Sequence, residues 1–439
     1  MKRLFMWMLL LIVCVSMVAT LSLAGCKEEA AEEEVAEEEV AEEEEAEEEE
    51  VAEEEEVAEE VTEPVEITYW HFEPREKAAK DALTQAFDMF NAQNPDINAE
   101  LVMVPKDDFN VKLQTAVAAG AGPDASIIDQ PLVATYASQG ALLSLESYIS
   151  QEEKDEFVTG ALETNYYKGE LFGLPLDFVC IALYYNKTLV PDPPETWDEF
   201  LAIAREVSDP DNNIAAIQIP GGGYGAWIWP AFVAAAGGTM LNEDQTEAAF
   251  NDEAGQAALQ LWVDLIELSP KNIREAADAF PAGNIAFLVS GPWEYEGWRA
   301  NYPEFTDYGI TLVPKEVQYA TNIGGQNLVV YSASENPDAA VELLKFLTTD
   351  EVQSIPNILF EGNPSKKALK DLYIDDPDHQ VFSDQLQYAT ARPGVVNWIK
   401  INDEVIATAI DRAFAGEPVK QVLDEAAEQA NAILATEPQ

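Results

Sequence analysis

Between Gly173 and Val190 the chain reads GLPLDFVCIALYYNKTLV. Phe178, Val179, Ile181, Leu183 and Tyr184 follow one another without polar alternation. A strand with one wet face would alternate, so this run predicts a strand covered on both faces. Such strands belong to sheets flanked by helices on both sides. The segments before and after it share a strand–helix rhythm, so the stretch is expected to join two similar units. A length of 439 residues agrees, being too much for one compact core.

The rhythm is clearest at the start. Val65, Ile67 and Tyr69 alternate into Trp70-His71-Phe72-Glu73, and Pro74 breaks the strand. Ala79, Ala82, Leu83, Ala86, Phe87 and Phe90 then recur at helical spacing. Ile97 to Val104 reads as a second strand. Phe109, Leu113, Ala116 and Val117 form the inner face of a helix that Asp107 or Asp108 can cap and Gly120 can stop. Pro123 to Asp129 is a third strand. Strand, helix, strand, helix, strand implies a parallel sheet with crossovers. Ligands of such sheets sit outside the carboxyl ends of the strands, where Trp70–Glu73 and Asp129–Gln130 fall.

Beyond the central stretch, Pro191-Asp192-Pro193-Pro194 makes a rigid turn, and Thr196 with Glu199 forms a capping box. Ile214 to Ile219 is a strand. Gly221 to Pro230 reads as a flexible aromatic loop; it has no GxGxxG and no Gly-Lys-Ser/Thr for a phosphate cradle. Asp252 to Leu268 is helical, and Ile285–Val289, Tyr308–Val313 and Asn327–Tyr331 are strands. Asn336 and Pro337 head a further helix, and two helices, 402–414 and 418–434, close the chain.

The ends of the chain carry a different message. Lys2 and Arg3 precede an apolar run from Leu4 to Val18, then Leu23-Ala24-Gly25-Cys26. This is the layout of an export signal. The run is short for a membrane span, which needs about 20 apolar residues. Leu-Ala-Gly-Cys resembles the bacterial lipoprotein signal, in which Cys26 is lipidated and becomes the mature N-terminus. Residues 27–63 hold 23 Glu against one Lys. Their valines keep no heptad, and the charges repel, so the segment is expected to stay extended. It would reach about 35 Å as coil or 55 Å as helix, a tether between membrane and folded part. Net charge is −58, and much of it lies beyond the tether. That argues against nucleic acid and against an anionic ligand reached by long-range steering. Cys14, Cys26 and Cys180 make no disulfide framework, and Cys180 reads as a small buried apolar residue.

Several segments together resemble the extracellular solute-binding proteins of the carbohydrate-binding family that includes maltose-binding protein and feeds ABC importers. They are Tyr69-Trp70, Pro123-Asp124 with Tyr136 to Leu142, Pro175-Leu176-Asp177 through Tyr184-Tyr185-Asn186-Lys187 to Pro194-Glu195-Thr196-Trp197, then Ser290-Gly291-Pro292-Trp293, Gly324-Gly325, and Asn336-Pro337. The likeness runs over about 65–435. It implies a two-lobed α/β fold of the periplasmic-binding type, class II. Each lobe is a mostly parallel sheet flanked by helices, with the ligand cleft between the lobes. The expected division is 1–25 signal peptide, 26–63 lipidated Cys26 and tether, 64–183 with 314–349 as the N-terminal lobe, and 184–313 with 350–439 as the C-terminal lobe.

A sugar presents apolar faces and hydroxyl rims, so its site needs aromatic platforms and planar polar groups. The candidates are Trp70, Tyr224, Trp227, Trp229, Trp293 and Trp398 for the first, and Asp129, Gln130, Asp177, Asn322, Gln326 and Arg392 for the second, with Gly325 either permitting a tight backbone or offering its N–H. A single Trp is more often core than platform; Trp197 and Trp262, on amphipathic helices, are assigned to core. Trp227 and Trp229 point opposite ways if extended, so one of them is expected in the cleft. Asp129 could instead cap a helix, and Arg392 could pair with an acid. Asp177 needs a partner, either a sugar hydroxyl or a backbone N–H. The resemblance implies a carbohydrate, with a di- or oligosaccharide favoured by the number of aromatics, and ABC permease subunits as partners. It implies a monomer outside the cytoplasm; the anchor to the membrane through a lipid on Cys26 is not part of that likeness and is expected from the Leu-Ala-Gly-Cys motif. Glycerol phosphate is the runner-up ligand. No cofactor, metal or catalytic group is expected. The acids are too numerous for a hydrolase pair to be diagnostic, and no GxSxG accompanies His71 or His379. An adhesion lipoprotein would fit the tether and leave the aromatics unexplained.

Overall fold

The computed structural model describes residues 63–359 and 362–437. The expected signal, Cys26 and the tether up to residue 62 lie outside the described residues. The chain opens with β1 (Val65–Phe72), α1 (Lys77–Gln93), β2 (Ile97–Val104), α2 (Lys106–Ala118), β3 (Ala125–Asp129) and α3 (Leu132–Ser138). α1 buries Ala79, Ala82, Leu83, Ala86, Phe87 and Phe90, the stripe that its spacing predicts. α2 starts behind Pro105 without a side-chain cap. Asp107 and Asp108 therefore sit in its first turn, where they complement the helix dipole rather than capping it.

The central stretch is not one strand. It comprises β4 (Gly173–Pro175), β5 (Asp177–Phe178) and β6 (Ala182–Asn186). Pro175 has no N–H to continue a ladder, and the chain changes sheets at this point. α4 (Trp197–Val207) follows, and its Thr196–Glu199 capping box is formed. Next come β7 (Ala215–Gln218), α5 (Gly222–Ala235), α6 (Glu253–Glu267), β8 (Ile285–Ser290), α7 (Trp293–Asn301) and β9 (Tyr308–Thr311). The chain then runs through β10 (Thr321–Asn322), β11 (Gln326–Val330), α8 (Pro337–Leu347), β12 (Asn363–Pro364), α9 (Pro377–Leu386), β13 (Ala389–Thr390), α10 (Ala407–Phe414) and α11 (Val419–Leu434).

The expected aromatic loop at 221–230 is the first half of α5. Its glycines and Pro230 read as breakers. The helix forms because it is buried nearly all round, from Ile228 to Ala235 without interruption, and so shows no amphipathic stripe. Burial overrides the cost of the glycines and of the backbone bond lost at Pro230.

Two main sheets result. The first has the order β2-β1-β3-β11-β4 and the second β9-β6-β8-β7. In the first, β1 is parallel to β2 and β3, while β11 is antiparallel to both of its neighbours. In the second, β7 and β8 are parallel and β6 is antiparallel to β8 and β9. Each sheet thus has one reversed strand, and in each it is the strand that arrives from the other sheet. A chain entering from the cleft side must run against strands whose carboxyl ends face that cleft. The first core gathers Ile67, Tyr69, Phe87, Phe90, Ile127, Leu328 and Leu344. The second gathers Leu183, Phe200, Ile217, Phe232, Trp262, Phe287 and Ile410, with Cys180 and Tyr184 in a further cluster around Phe280 and Trp298. β6 therefore is covered on both faces, as its composition predicts. The cores shift the expected boundaries. The first keeps the chain to Leu176 and again from Leu328 to Leu359. The second holds Ile181 and reaches Ala320, so 183, 313 and 349 are not where the packing changes hands.

Candidate functional site

The carboxyl ends of the two sheets and the segments that cross between them meet in one place. On α5, Tyr224 and Trp227 lie three residues apart and so share a face. Their rings stack at 5.7 Å and 10°. Trp293, at the start of α7, lies 6.0 Å from Trp227 and 6.4 Å from Tyr224. Tyr224 remains 39% exposed. Its hydroxyl bonds Ser290 Oγ at 2.9 Å, and Ser290 Oγ donates to Glu294 Oε1 at 2.9 Å. Burial raises the Glu294 pKa above the usual range, opposed by the Ser290 hydrogen bond and by the charge of Arg75. Arg75 follows β1, so a cation of the first body faces a carboxyl of the second.

Trp229 is not part of this cluster. It is 0% exposed and packs edge-on against Phe250 at 5.9 Å. Two residues turn a helix through about 200°, so Trp227 and Trp229 cannot share a face; Trp227 is the one beside Tyr224. Trp70 is half-buried and packs on the first core. No ring contact joins it to the Tyr224 cluster among the described residues.

The crossing segments form the adjoining wall. Val179 and Gly324 exchange backbone hydrogen bonds at 2.9 and 2.8 Å. Gly324 lies under Trp227: a Cβ there would stand 2.8 Å from the indole. Gly325 has φ +141°, and a Cβ would stand 2.4 Å from the Asp177 carbonyl oxygen. Only glycine fits, so Gly325 serves close packing of the two crossings. Asn322 donates through Nδ2 to the Trp227 carbonyl, and Gln130 Nε2 donates to the Gly324 carbonyl at 3.1 Å.

Asp177 is 3% exposed and accepts the Gln326 N–H at 2.7 Å. Of its two expected partners, the structure supplies the backbone. Burial pushes its pKa up to about 7, with the Gln326 N–H acting the other way and the charge of Asp129 adding to the rise. Asp129 and Arg392 find each other: two hydrogen bonds of 2.8 and 2.6 Å form a fork. Arg392 also reaches Gln130 Oε1 at 3.4 Å. Its side chain is 7% exposed. Thr135 of α3 donates to the Val396 carbonyl at 2.7 Å, so the loop after β13 is tied to α3 as well as to the end of β3.

The structure thus brings together Asp129, Gln130, Arg392, Asp177 and Gly325 at the crossings, and Tyr224 with Trp293 beside them. Ser290, Glu294 and Arg75, which stand beside the aromatic cluster, were not among the residues expected there, and of the Trp pair left open by the sequence it is Trp229, named as a candidate, that is core. Ser290 at a strand end beside Gly291-Pro292-Trp293 was the available signal. No group of His, Cys, Asp and Glu able to hold a metal occurs among the described residues. No helix there is long and apolar enough to cross a membrane.

Comparison with known proteins gives the family and the fold. The family described as bacterial extracellular solute-binding protein matches residues 73–354. A lactose-binding protein of Rhizobium radiobacter is 24% identical over 398 residues, covering 83% of this chain and 92% of that one. The solved ABC-transporter solute-binding protein of Thermotoga lettingae, bound with α-D-tagatose, superimposes with a TM-score of 0.76 at 27% identity, over 84% of this chain and 100% of that one. The cyclic α-maltosyl-1,6-maltose binding protein of Arthrobacter globiformis gives 0.71 at 28% identity, over 84% and 99%.

Proposed function

The chain belongs to the bacterial extracellular solute-binding proteins, and from that premise we propose that it captures a sugar of two or more rings and presents it to an ABC importer. The observation that carries this is the Tyr224–Trp227–Trp293 cluster, set beside Ser290 and Glu294. Rings of this kind cover the apolar face of a pyranose, while the hydroxyl and carboxyl meet its rim. Closure of the two bodies about the crossings then shuts the ligand away from water. Family members of this kind bind without turnover, so the sugar should be recovered intact. A phosphate ligand is disfavoured because the Arg392 guanidinium is already bound by Asp129.

The test is a Trp-fluorescence and thermal-shift screen against a sugar panel. A ligand at 100 times its Kd adds about 2.7 kcal/mol of stability. Trp293→Ala should remove most of the response and keep the fold. The carbohydrate reading fails if peptides or polyamines shift the melt and no sugar does. The binding-protein reading fails if shorter products accumulate with time.

The same reading extends to the parts outside the described residues. Residues 1–25 are removed, Cys26 carries lipid, and 26–63 hold the body off the membrane; the support is the Leu-Ala-Gly-Cys motif and the Glu-rich composition. Cys26→Ser should release the protein from the membrane fraction. Retention of that variant on the membrane would overturn the anchor.

A further inference from the structure

Two residues turn a helix through about 200°, so Tyr295 of α7 faces away from Trp293 and the aromatic cluster; it is 1% exposed. Its hydroxyl meets His379 Nδ1 of α9 at 3.1 Å. On the other side of the ring, His379 Nε2 meets Asn363 Oδ1 of β12 at 3.1 Å. Asn363 pairs with Phe178 of β5, and Pro364 with Asp177, in the segment that crosses between the bodies. A single run of hydrogen bonds therefore leads from the helix that carries Trp293 to the crossing.

Donor and acceptor roles along this run follow from burial. His379 is 2% exposed. Burial lowers its pKa to about 4 against the pull of the Asp376 carboxylate, with the charge of Arg299 adding to the fall. At neutral pH the ring is neutral and has one N–H. Asn363 Oδ1 accepts from Ser383 Oγ at 3.3 Å and from His379. The N–H thus sits on Nε2, and Nδ1 accepts from the Tyr295 hydroxyl. A second tie joins the same two helices. Asp376 caps α9 through the N–H groups of Asp378 and His379, and its carboxylate binds Arg299 of α7 at 2.6 and 3.1 Å. The Arg299 pairs are partly exposed and survive a small shift, being screened by water. The run through His379 is buried, and parting it strands polar atoms. It is this run that fixes the angle of α7.

We propose that His379 is a positioning residue for sugar capture, bracing the helix that carries Trp293 against β5 so that the platform keeps its place relative to the crossing as the bodies close. The inference rests on the carbohydrate reading above and adds to it a residue that stands outside the site and acts through Tyr295 and Asn363.

The experiment measures affinities for maltotriose and lactose by calorimetry, on the purified full-length protein at neutral pH. His379→Phe keeps the ring against Tyr373, now 4.2 Å away, and removes both bonds. Tyr295→Phe removes one oxygen from an aromatic setting and so keeps the fold. A bond of this kind contributes about tenfold to an equilibrium. Without it α7 leaves its binding orientation, and the apparent affinity falls with the competent fraction. Each variant should bind about tenfold more weakly, and the double variant no more weakly than His379→Phe, because the two changes break one run. His379→Gln offers a donor and an acceptor on one planar group and should recover binding. Ile273→Ala thins the same core and breaks no hydrogen bond; it should lower the melting temperature and keep wild-type affinity. In the ligand-free proteins, the part of the near-ultraviolet tryptophan circular dichroism that Trp293→Ala removes should also be lost in His379→Phe and kept in His379→Gln. The brace is overturned if wild type binds a sugar and both Phe variants bind it equally well. It is overturned too if Ile273→Ala loses as much affinity for the same loss of melting temperature, since His379 would then act through stability alone. If wild type binds neither these sugars nor any other of the panel, the carbohydrate reading fails, and the dichroism decides the brace on its own.

Discussion

Replacing Asp177 with asparagine removes an ionisable carboxyl whose burial in the fold favours the protonated, neutral form. The carboxyl is shut between the crossings, accepts one backbone N–H from Gln326, and has its pKa pushed up to about 7 by burial, with the charge of Asp129 contributing. An unfolded aspartate titrates near 3.9. Between those values the folded chain holds a proton that the unfolded chain has released, so stability falls as pH rises. The favourable contribution is complete below about pH 4 and lost once pH passes about 7. About three pKa units at roughly 1.4 kcal/mol each make the effect about 4 kcal/mol. Asp177→Asn retains an oxygen for the Gln326 N–H and cannot ionise. The difference between wild type and variant cancels the many other acids, which titrate alike in both. Urea unfolding followed by circular dichroism at pH 4, 5, 6, 7 and 8 should show near-equal stabilities at pH 4. The variant should gain progressively, to about 4 kcal/mol at pH 8. A difference that is flat across the range, or that shrinks with rising pH, would mean the carboxyl is ionised in the fold, and the burial argument would be wrong. The variant also speaks to ligand contact: a large loss of sugar affinity at pH 4, where stabilities are close, would place Asp177 against the ligand.

Three further outcomes follow from the same geometry. Trp229→Ala should destabilise the second body by about 3–5 kcal/mol, whereas Trp227→Ala should leave the urea midpoint nearly unchanged and weaken sugar binding tenfold or more; equal effects on both measurements would refute the assignment of faces. Gly325→Ala should cost more than about 1 kcal/mol, because the positive φ and the 2.4 Å approach to the Asp177 carbonyl both oppose a Cβ; an unchanged urea midpoint would show that the crossings are looser than drawn. Asp129→Ala strands a nearly buried guanidinium and should cost about 3 kcal/mol, while Asp129→Ala with Arg392→Met should recover most of it; a double-mutant cycle without coupling would deny the fork.

What could be read from the sequence was what is local. The stripe of α1, the span of β2 and the Thr196–Glu199 box each depend on residues within a turn or two of one another, and all three stand in the structure. The helix α5 escaped because its evidence is not local. Helical periodicity appears only when one face is wet, and α5 is wrapped by α6, β10 and the C-terminal helices. With that stripe absent, glycines and a proline dominate the reading. The choice between Trp227 and Trp229 went the same way, since two residues apart is opposite in either conformation and only the packing says which side is core. The Asp129–Arg392 pair was out of reach for another reason: its members are 263 positions apart, and any of 82 acids could have paired with that arginine. Strand direction accounts for why so distant a pair meets here. Strands of both sheets point their carboxyl ends at one cleft, and the chain can pass between sheets only there. Every crossing therefore brings residues remote in sequence to the same wall, and the site is made where the two sheets exchange the chain.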